Sequence, residues 1–139
     1  MIRYLLDSNI IAEPIRIVPN QQVLSRLHQT KDQIAISATV WHEMCFGYQR
    51  LPDSRRRREI ETYLNQVVAP TIPCLAYDSS AAEWHAKERA RLAKIGLMPP
   101  FADGQIAAVA YVNDLILVTN NEADYQSFLG LQLENWFTS

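Results

Sequence analysis

The chain has 139 residues, 48% of them hydrophobic, the size of one ordinary domain that can bury a core without disulfide or metal staples. A formal charge of −2 and a pI near 5.9 exclude a globally basic nucleic-acid binder but leave room for a local basic surface beside an acidic site. The run Met1 to Leu6 meets Asp7 too soon to make a signal-peptide core, and the longest uncharged apolar stretch, around Ile106 to Val112, is far shorter than the roughly 18 residues of a membrane span, so a soluble, cytoplasmic protein is expected.

Short β-rich runs alternate with longer helical patterns, which predicts βαβ units and a single α/β domain over residues 1–139, with a central, mostly parallel sheet flanked by helices on both faces. The first strand is Arg3 to Leu6. It ends at Asp7-Ser8-Asn9, whose short polar side chains suit the cap of a brief helix, Ile10 to Glu13, stopped by Pro14. A helix is expected over Gln21 to Gln29, a buried strand over Gln33 to Ile36, and a helix through Glu43 to about Arg50, with Ser37 and Thr39 as candidate caps. After the break at Leu51 to Ser54, the pattern is helical from Arg55 to Val68, and Pro70 and Pro73 bracket the turn into a strand at Cys74 to Ala76. Asp78-Ser79-Ser80 opens the next helix, with Ser80 and Glu83 spaced as a capping box and Gly96 as its end. Asp103 starts a helix of small residues, Gly104 to Val112. Leu115 to Thr119 is the clearest central strand, and Leu131 to Glu134 a last, shorter one. Cys45 and Cys74 have no further ligand at metal-finger spacing and are expected as buried, reduced thiols.

Four acids stand at related places in this pattern. Asp7 follows the first strand directly, Glu43 lies two turns into the helix after the second, Asp103 opens the helix that feeds back into Leu115 to Thr119, and Asp124 lies just past that strand. Ligands of open parallel sheets bind beyond the carboxyl ends of the strands, so all four can share one crevice. Singly, Asp7 and Asp103 read as helix caps and Asp124 as a turn residue. Glu43 is harder to dismiss, because it falls at the margin of the apolar sector of its helix, about 40° from Gly47, which leaves room beside it. Four gathered carboxylates repel one another unless a cation joins them, and hard oxygen ligands suit Mg²⁺ or Mn²⁺, ions that serve phosphate chemistry. There is no G-x-S-x-G elbow, Walker A loop or G-x-G-x-x-G turn. The three histidines lie on separate helices, with His85 reading as a structural residue on an apolar face.

At these residues the chain resembles PIN-domain proteins, and most of all the VapC-type toxins of bacterial toxin-antitoxin modules. The likeness rests on Leu5-Leu6-Asp7-Ser8-Asn9-Ile10-Ile11, on Ser37-Ala38-Thr39-Val40-Trp41-His42-Glu43 with Gly47, on Ala102-Asp103-Gly104-Gln105-Ile106-Ala107-Ala108, and on Leu117-Val118-Thr119-Asn120-Asn121-Glu122-Ala123-Asp124-Tyr125. The closing Leu133-Glu134-Asn135-Trp136 resembles the final strand of the family. Ser8 stands where threonine is more usual and Tyr125 where phenylalanine is common. The resemblance implies a metal-dependent endoribonuclease with Asp7, Glu43, Asp103 and Asp124 as catalytic acids, Asp7 and Asp103 as direct Mg²⁺ ligands, and Glu43 and Asp124 on a water or a second ion. Asn121 and Glu122 remain alternatives for the fourth acid. It also implies a cognate antitoxin, a homodimer, and operator DNA bound only through the antitoxin complex.

RNA requires positive charge near such a pocket, and Lys87, Arg91 and Lys94, on one side of the helix that starts near Ser80, are the candidate contacts. The run Arg55 to Arg58 reads as a solvated face. Two rival readings stand beside the nuclease: a PIN-fold binding module with idle acids, which the loss of one or more of the four acids would favour although none is lost, and a phosphotransferase with the first acid as nucleophile, which would want an Asp where Asn9 stands.

Overall fold

The structure, a computed structural model, describes residues 1–138. The strands are β1 (Tyr4–Leu6), β2 (Ile34–Ser37), β3 (Cys74–Leu75), β4 (Ile116–Val118) and β5 (Leu133–Glu134). The helices are α1 (Ser8–Ile11), α2 (Gln21–Gln29), α3 (Ala38–Gln49), α4 (Arg55–Thr62), α5 (Ala69–Thr71), α6 (Ser79–Lys94) and α7 (Phe101–Val112). All strand pairings among the described residues are parallel, in the order β3-β2-β1-β4-β5. Successive side chains of a strand point to opposite faces, and Tyr4, Leu5 and Leu6 are all buried, so the sheet is covered on both sides as the sequence pattern requires.

The chain winds outward from β1 through β2 to β3 and then returns to lay β4 against the other side of β1, with Leu5 opposite Leu117 and Leu6 opposite Val118. Strand order therefore reverses between β1 and β4, and a crevice opens beyond their carboxyl ends. At the far edge, β5 is sealed by Trp136, which is fully buried, meets Tyr4 edge-on at 5.3 Å and donates from Nε1 to Glu134 Oε1 at 3.0 Å.

Several element ends differ from their expected positions for identifiable reasons. Helix α6 is capped by Asp78, whose Oδ1 accepts from the Ala81 amide at 2.9 Å, instead of by the Ser80 and Glu83 box. It does stop at Gly96, where φ is +79° and the Leu97 and Gly96 amides bond back to Leu92 and Ala93. Helix α7 starts at Phe101 after Pro100, so Asp103 lies in its first turn and is not its cap. The helical run from Arg55 continues past Val68 to Thr71 but widens into a π stretch at Tyr63–Val68. A proline ring clashes with the carbonyl four residues back in an α-helix, and the wider turns ahead of Pro70 relieve that clash. Cys74 is exposed and Cys45 only half-buried, which corrects the expectation of two buried thiols. The cause is the shortness of β3, whose two residues form one edge of the sheet. Among the described residues no helix is long and apolar enough to cross a membrane.

Candidate metal site at the switch between two strands

Asp7 occupies the first position past β1. Its amide donates to Val118 O at 2.9 Å, which ties it to the end of β4, and its extended backbone makes it the N-cap of α1. The side chain is buried at 5% exposure and is met by four donors. Oδ1 accepts from the Ser8 amide at 2.8 Å, and Oδ2 accepts from Thr119 Oγ1 at 2.9 Å, Tyr125 OH at 3.1 Å and Asn9 Nδ2 at 3.4 Å. Asn9 in turn accepts from the Asn120 amide at 2.9 Å, and Thr119 Oγ1 from the Asn121 amide at 3.0 Å. The network thus joins the loops after β1 and β4 around one carboxylate. A buried charge without such partners is strongly unfavourable.

The other three acids are placed differently. Among the described residues no hydrogen bond or ion pair engages the carboxylates of Glu43, Asp103 or Asp124, and yet they feel one another and Asp7. Burial, then the charges of Asp124 and Asp7, push the Asp103 carboxyl up to about 6. The Glu43 carboxyl is raised by burial, then by Asp7 and Asp103, with His42 opposing. The residue as a whole is exposed, while its carboxyl is partly buried, in keeping with its place at the margin of the apolar sector of its helix. Gly47 does lie beside open space, since a Cβ there would meet nothing within 4 Å, but that space would accept alanine equally well. Asp124 is exposed on the 3-10 turn Glu122–Asp124, and it, not Glu122, is the acid of that turn whose charge reaches Asp103. The backbone N–H of Asn121 donates to Thr119 Oγ1.

These groups suit a small hard cation in kind and charge. No three His, Cys, Asp or Glu side chains among the described residues stand close enough to form a ready-made cage. Mg²⁺ does not need one, because it keeps several waters and takes one or two carboxylates. Asp7, at the strand switch, and Asp103, whose carboxyl feels its charge, are the two that would hold it. The mutual repulsion evident in the raised Asp103 and Glu43 carboxyls is what a cation would remove.

Two grooves flank the crevice. One, of about 260 Å³, has Glu43 at its edge and Ala12, Ile15, Met44, Tyr48 and Ile60 among its walls, with Arg16 and Arg56 beside them. The other, of about 560 Å³, runs past Asp124 between Leu97 to Pro100 and Gln126. Of the expected RNA contacts, Arg91 is otherwise engaged: it makes a two-pronged ion pair with the buried Glu88 at 3.0 Å and donates to Ser127 O at 2.8 Å. Glu88 also accepts from the Leu129 amide, so this pair fastens the loop after Asp124 to α6. Lys87 and Lys94 are exposed. In the arginine run, Arg55 and Arg58 pair with Glu59 and Asp53 on the surface, as a solvated face should.

Sequence reasoning does not reach Thr119, Asn9 and Tyr125 as supports for Asp7. A hydroxyl at the end of the strand paired with β1 is a usable signal for Thr119; Tyr125, six residues later, carries none that spacing alone reveals.

An all-parallel α/β domain with carboxylates gathered at its strand switch defines the class, and comparison with known proteins agrees. Residues 4–126 match the PIN domain family. This chain belongs to the PIN-domain family. It is 32% identical over 139 residues to the tRNA(fMet)-specific endonuclease VapC of Shigella flexneri and 30% identical over 137 residues to Ribonuclease VapC2 of Haemophilus influenzae, with 98% of this chain and 99% of each relative covered. The crystal structure of DNA-bound VapBC from Salmonella typhimurium contains a chain that superposes with a TM-score of 0.86 at 25% identity, covering 98% of this chain and 99% of that one.

Proposed function

We propose that this protein is a Mg²⁺-dependent endoribonuclease, the toxin of a toxin-antitoxin pair, acting in the cytoplasm. The observation that carries the reading is the strand switch itself, where the Asp7 carboxylate after β1 is held by Thr119 and Tyr125 from the chain after β4, with the charges of Asp124 and Asp7 near enough to raise the Asp103 carboxyl. Relatives named as VapC ribonucleases along nearly the full length of the chain support the same activity.

Asp7 and Asp103 would hold the ion. When bound, Mg²⁺ lowers the pKa of a coordinated water and offsets charge on the phosphodiester and its leaving oxygen. Asp7 is fixed in direction by its four donors. Glu43 and Asp124, exposed and unpaired, orient the attacking water or hold a second ion. Mn²⁺ is expected to substitute, because it takes the same oxygen ligands. In such a hydrolysis the water oxygen bonds to phosphorus as one P–O ester bond breaks, leaving a phosphate on one end and a hydroxyl, protonated from water, on the other.

The partner reading follows the relatives. A cognate antitoxin is expected to hold the enzyme inactive, and the Salmonella structure, with VapBC on DNA, supports an antitoxin-dependent contact with operator DNA. A homodimer completes the proposal. The test is cleavage of RNA, beginning with initiator tRNA, by wild type, D7N and D103N with Mg²⁺ and with chelator. Loss of cutting in both variants and in chelator is expected, by at least about 100-fold, the scale of removing an electrostatic catalytic element. Unchanged cutting by either folded variant would refute the assignment, and an inert wild type alongside intact nucleic-acid binding would favour the non-catalytic module.

A further inference from the structure

The two oxygens of the Asp7 carboxylate are held unequally. Oδ1 accepts one bond, from the Ser8 amide, while Oδ2 takes Thr119 Oγ1, Tyr125 OH and Asn9 Nδ2. A carboxylate oxygen has about two acceptor sites; Thr119 at 2.9 Å and Tyr125 at 3.1 Å fill those of Oδ2, the Asn9 contact at 3.4 Å being the longest and shared with Thr119 Oγ1, while Oδ1 keeps room for a further partner. Of the three, Tyr125 is the one whose side chain does not need its polar atom for packing. It is 2% exposed, and its ring would fill the same space as a phenylalanine. The hydroxyl lies beside the carboxylate as a donor, 3.1 Å from Asp7 Oδ2. It is carried by the residue directly after the turn that presents Asp124, so one short segment delivers both an acid and a clamp.

We propose that Tyr125 is a metal-positioning residue, whose hydroxyl pins Oδ2 of Asp7 and so makes Asp7 a one-oxygen ligand that favours Mg²⁺ over Ca²⁺. The inference rests on the metal-dependent reading above. A single carboxylate oxygen suits a small ion with a strict octahedral shell, whereas Ca²⁺ accepts carboxylates through both oxygens at longer distances. Loss of the Tyr125 bond opens one acceptor site on Oδ2, so that the carboxylate can offer both oxygens to an ion. The groups that orient a metal's ligands typically change its affinity by 10–100-fold when removed.

The test is calorimetric titration of Mg²⁺ and, separately, Ca²⁺ into wild type, Y125F, T119V and T119S, with D103N as the control for the metal site and thermal melts of each chelated protein. Y125F should bind Mg²⁺ about tenfold more weakly while binding Ca²⁺ as well as wild type or better. T119V should behave likewise, and T119S, which restores a hydroxyl, should recover. A purely structural tyrosine would lower the melting point of the chelated protein and leave the ratio of the two affinities alone. That result, or Y125F constants equal to wild type, overturns the proposal. If wild type and D103N both fail to bind either ion, the metal reading itself falls and takes the positioning role with it; if wild type binds and Y125F keeps its selectivity, only the positioning role is lost.

Discussion

Asp7 and Asp103 have the same charge and neighbouring places but opposite physical circumstances. Four donors surround Asp7, whereas burial and two like charges push the Asp103 carboxyl up to about 6, and no hydrogen bond among the described residues offsets this. The consequence for stability has a definite sign. A carboxyl with a folded-state pKa above its unfolded value of 3.8 takes up a proton on folding between that value and about 6, so its contribution is present at low pH and is lost as pH rises through 6. At neutral pH the ionised Asp103 therefore opposes folding of the metal-free protein. Glu43, raised for the same kinds of reason, adds to the effect. His85 works the other way, since burial lowers its pKa and its uptake of a proton in the unfolded chain favours unfolding as the pH falls below 6.5. The informative quantity is hence the difference between wild type and D103N. In chelator, D103N should melt higher than wild type at pH 7.5, and the gap should narrow as pH falls through 6 and close only near the unfolded value of 3.8; a gap independent of pH would mean that Asp103 is not held away from its ionised form. Saturating Mg²⁺ should reverse the order at neutral pH, because only wild type keeps the full site.

At the level of elements, the starts and stops that depend on one side chain were the least legible part of the sequence. Asp78 and Ser80 are both good caps, and only the final path of the chain decides that Asp78 takes the Ala81 amide. Pro100 starts α7 earlier than Asp103 suggested, and the shift frees the Asp103 carboxylate from capping duty. By contrast, the strands Tyr4–Leu6 and Ile116–Val118 and the helix Gln21–Gln29 follow from hydrophobic pattern alone, since a strand buried on both faces must be apolar throughout. What no pattern announces is the contact between α6 and α7. His85, linked through Nδ1 to Tyr77 OH at 2.8 Å, packs against the backbone of α7 so closely that a Cβ on Gly104 would lie 2.1 Å from Nε2. The glycine next to Asp103 is thus fixed by the histidine, which is structural as its apolar setting indicated. G104A should destabilise the fold by about 1–3 kcal/mol, the usual cost of overpacking. H85A makes room for that methyl group, so the double variant should lose clearly less than the sum of the two single losses in denaturant unfolding. Strict additivity would show that α7 yields at Gly104 without help from His85.

Across the whole molecule, the distribution of charge says more than its total. A net charge of −2 gives no hint that acids from distant segments, Asp7 and Asp124, lie near enough to raise the Asp103 carboxyl. Their places in the sequence point toward one end of the sheet, because the parallel topology fixes where strand ends point. The supports from Thr119, Asn9 and Tyr125 were not legible, since hydrogen bonding between residues so far apart in the chain depends on final side-chain directions. The same limit governs the cations. Helical spacing put Lys87, Arg91 and Lys94 on one side of α6, but spacing cannot show that Arg91 is held by Glu88 and Ser127. RNA binding by this face should then rest on the two lysines. In a D103N background, where cleavage is removed, K87A/K94A should bind single-stranded RNA more weakly. Its dependence on salt should also flatten, by about 0.7 in the logarithmic slope for each phosphate that the lysines no longer neutralise. R91A should behave differently: it strips the buried Glu88 of its partner and loosens the segment Ser127 to Leu129, so its first effect should be a lower melting point. Equal affinity and equal salt slope in K87A/K94A and its parent would remove this face from the path of the RNA and leave the grooves beside Glu43 and Asp124 as the remaining approaches to the acids.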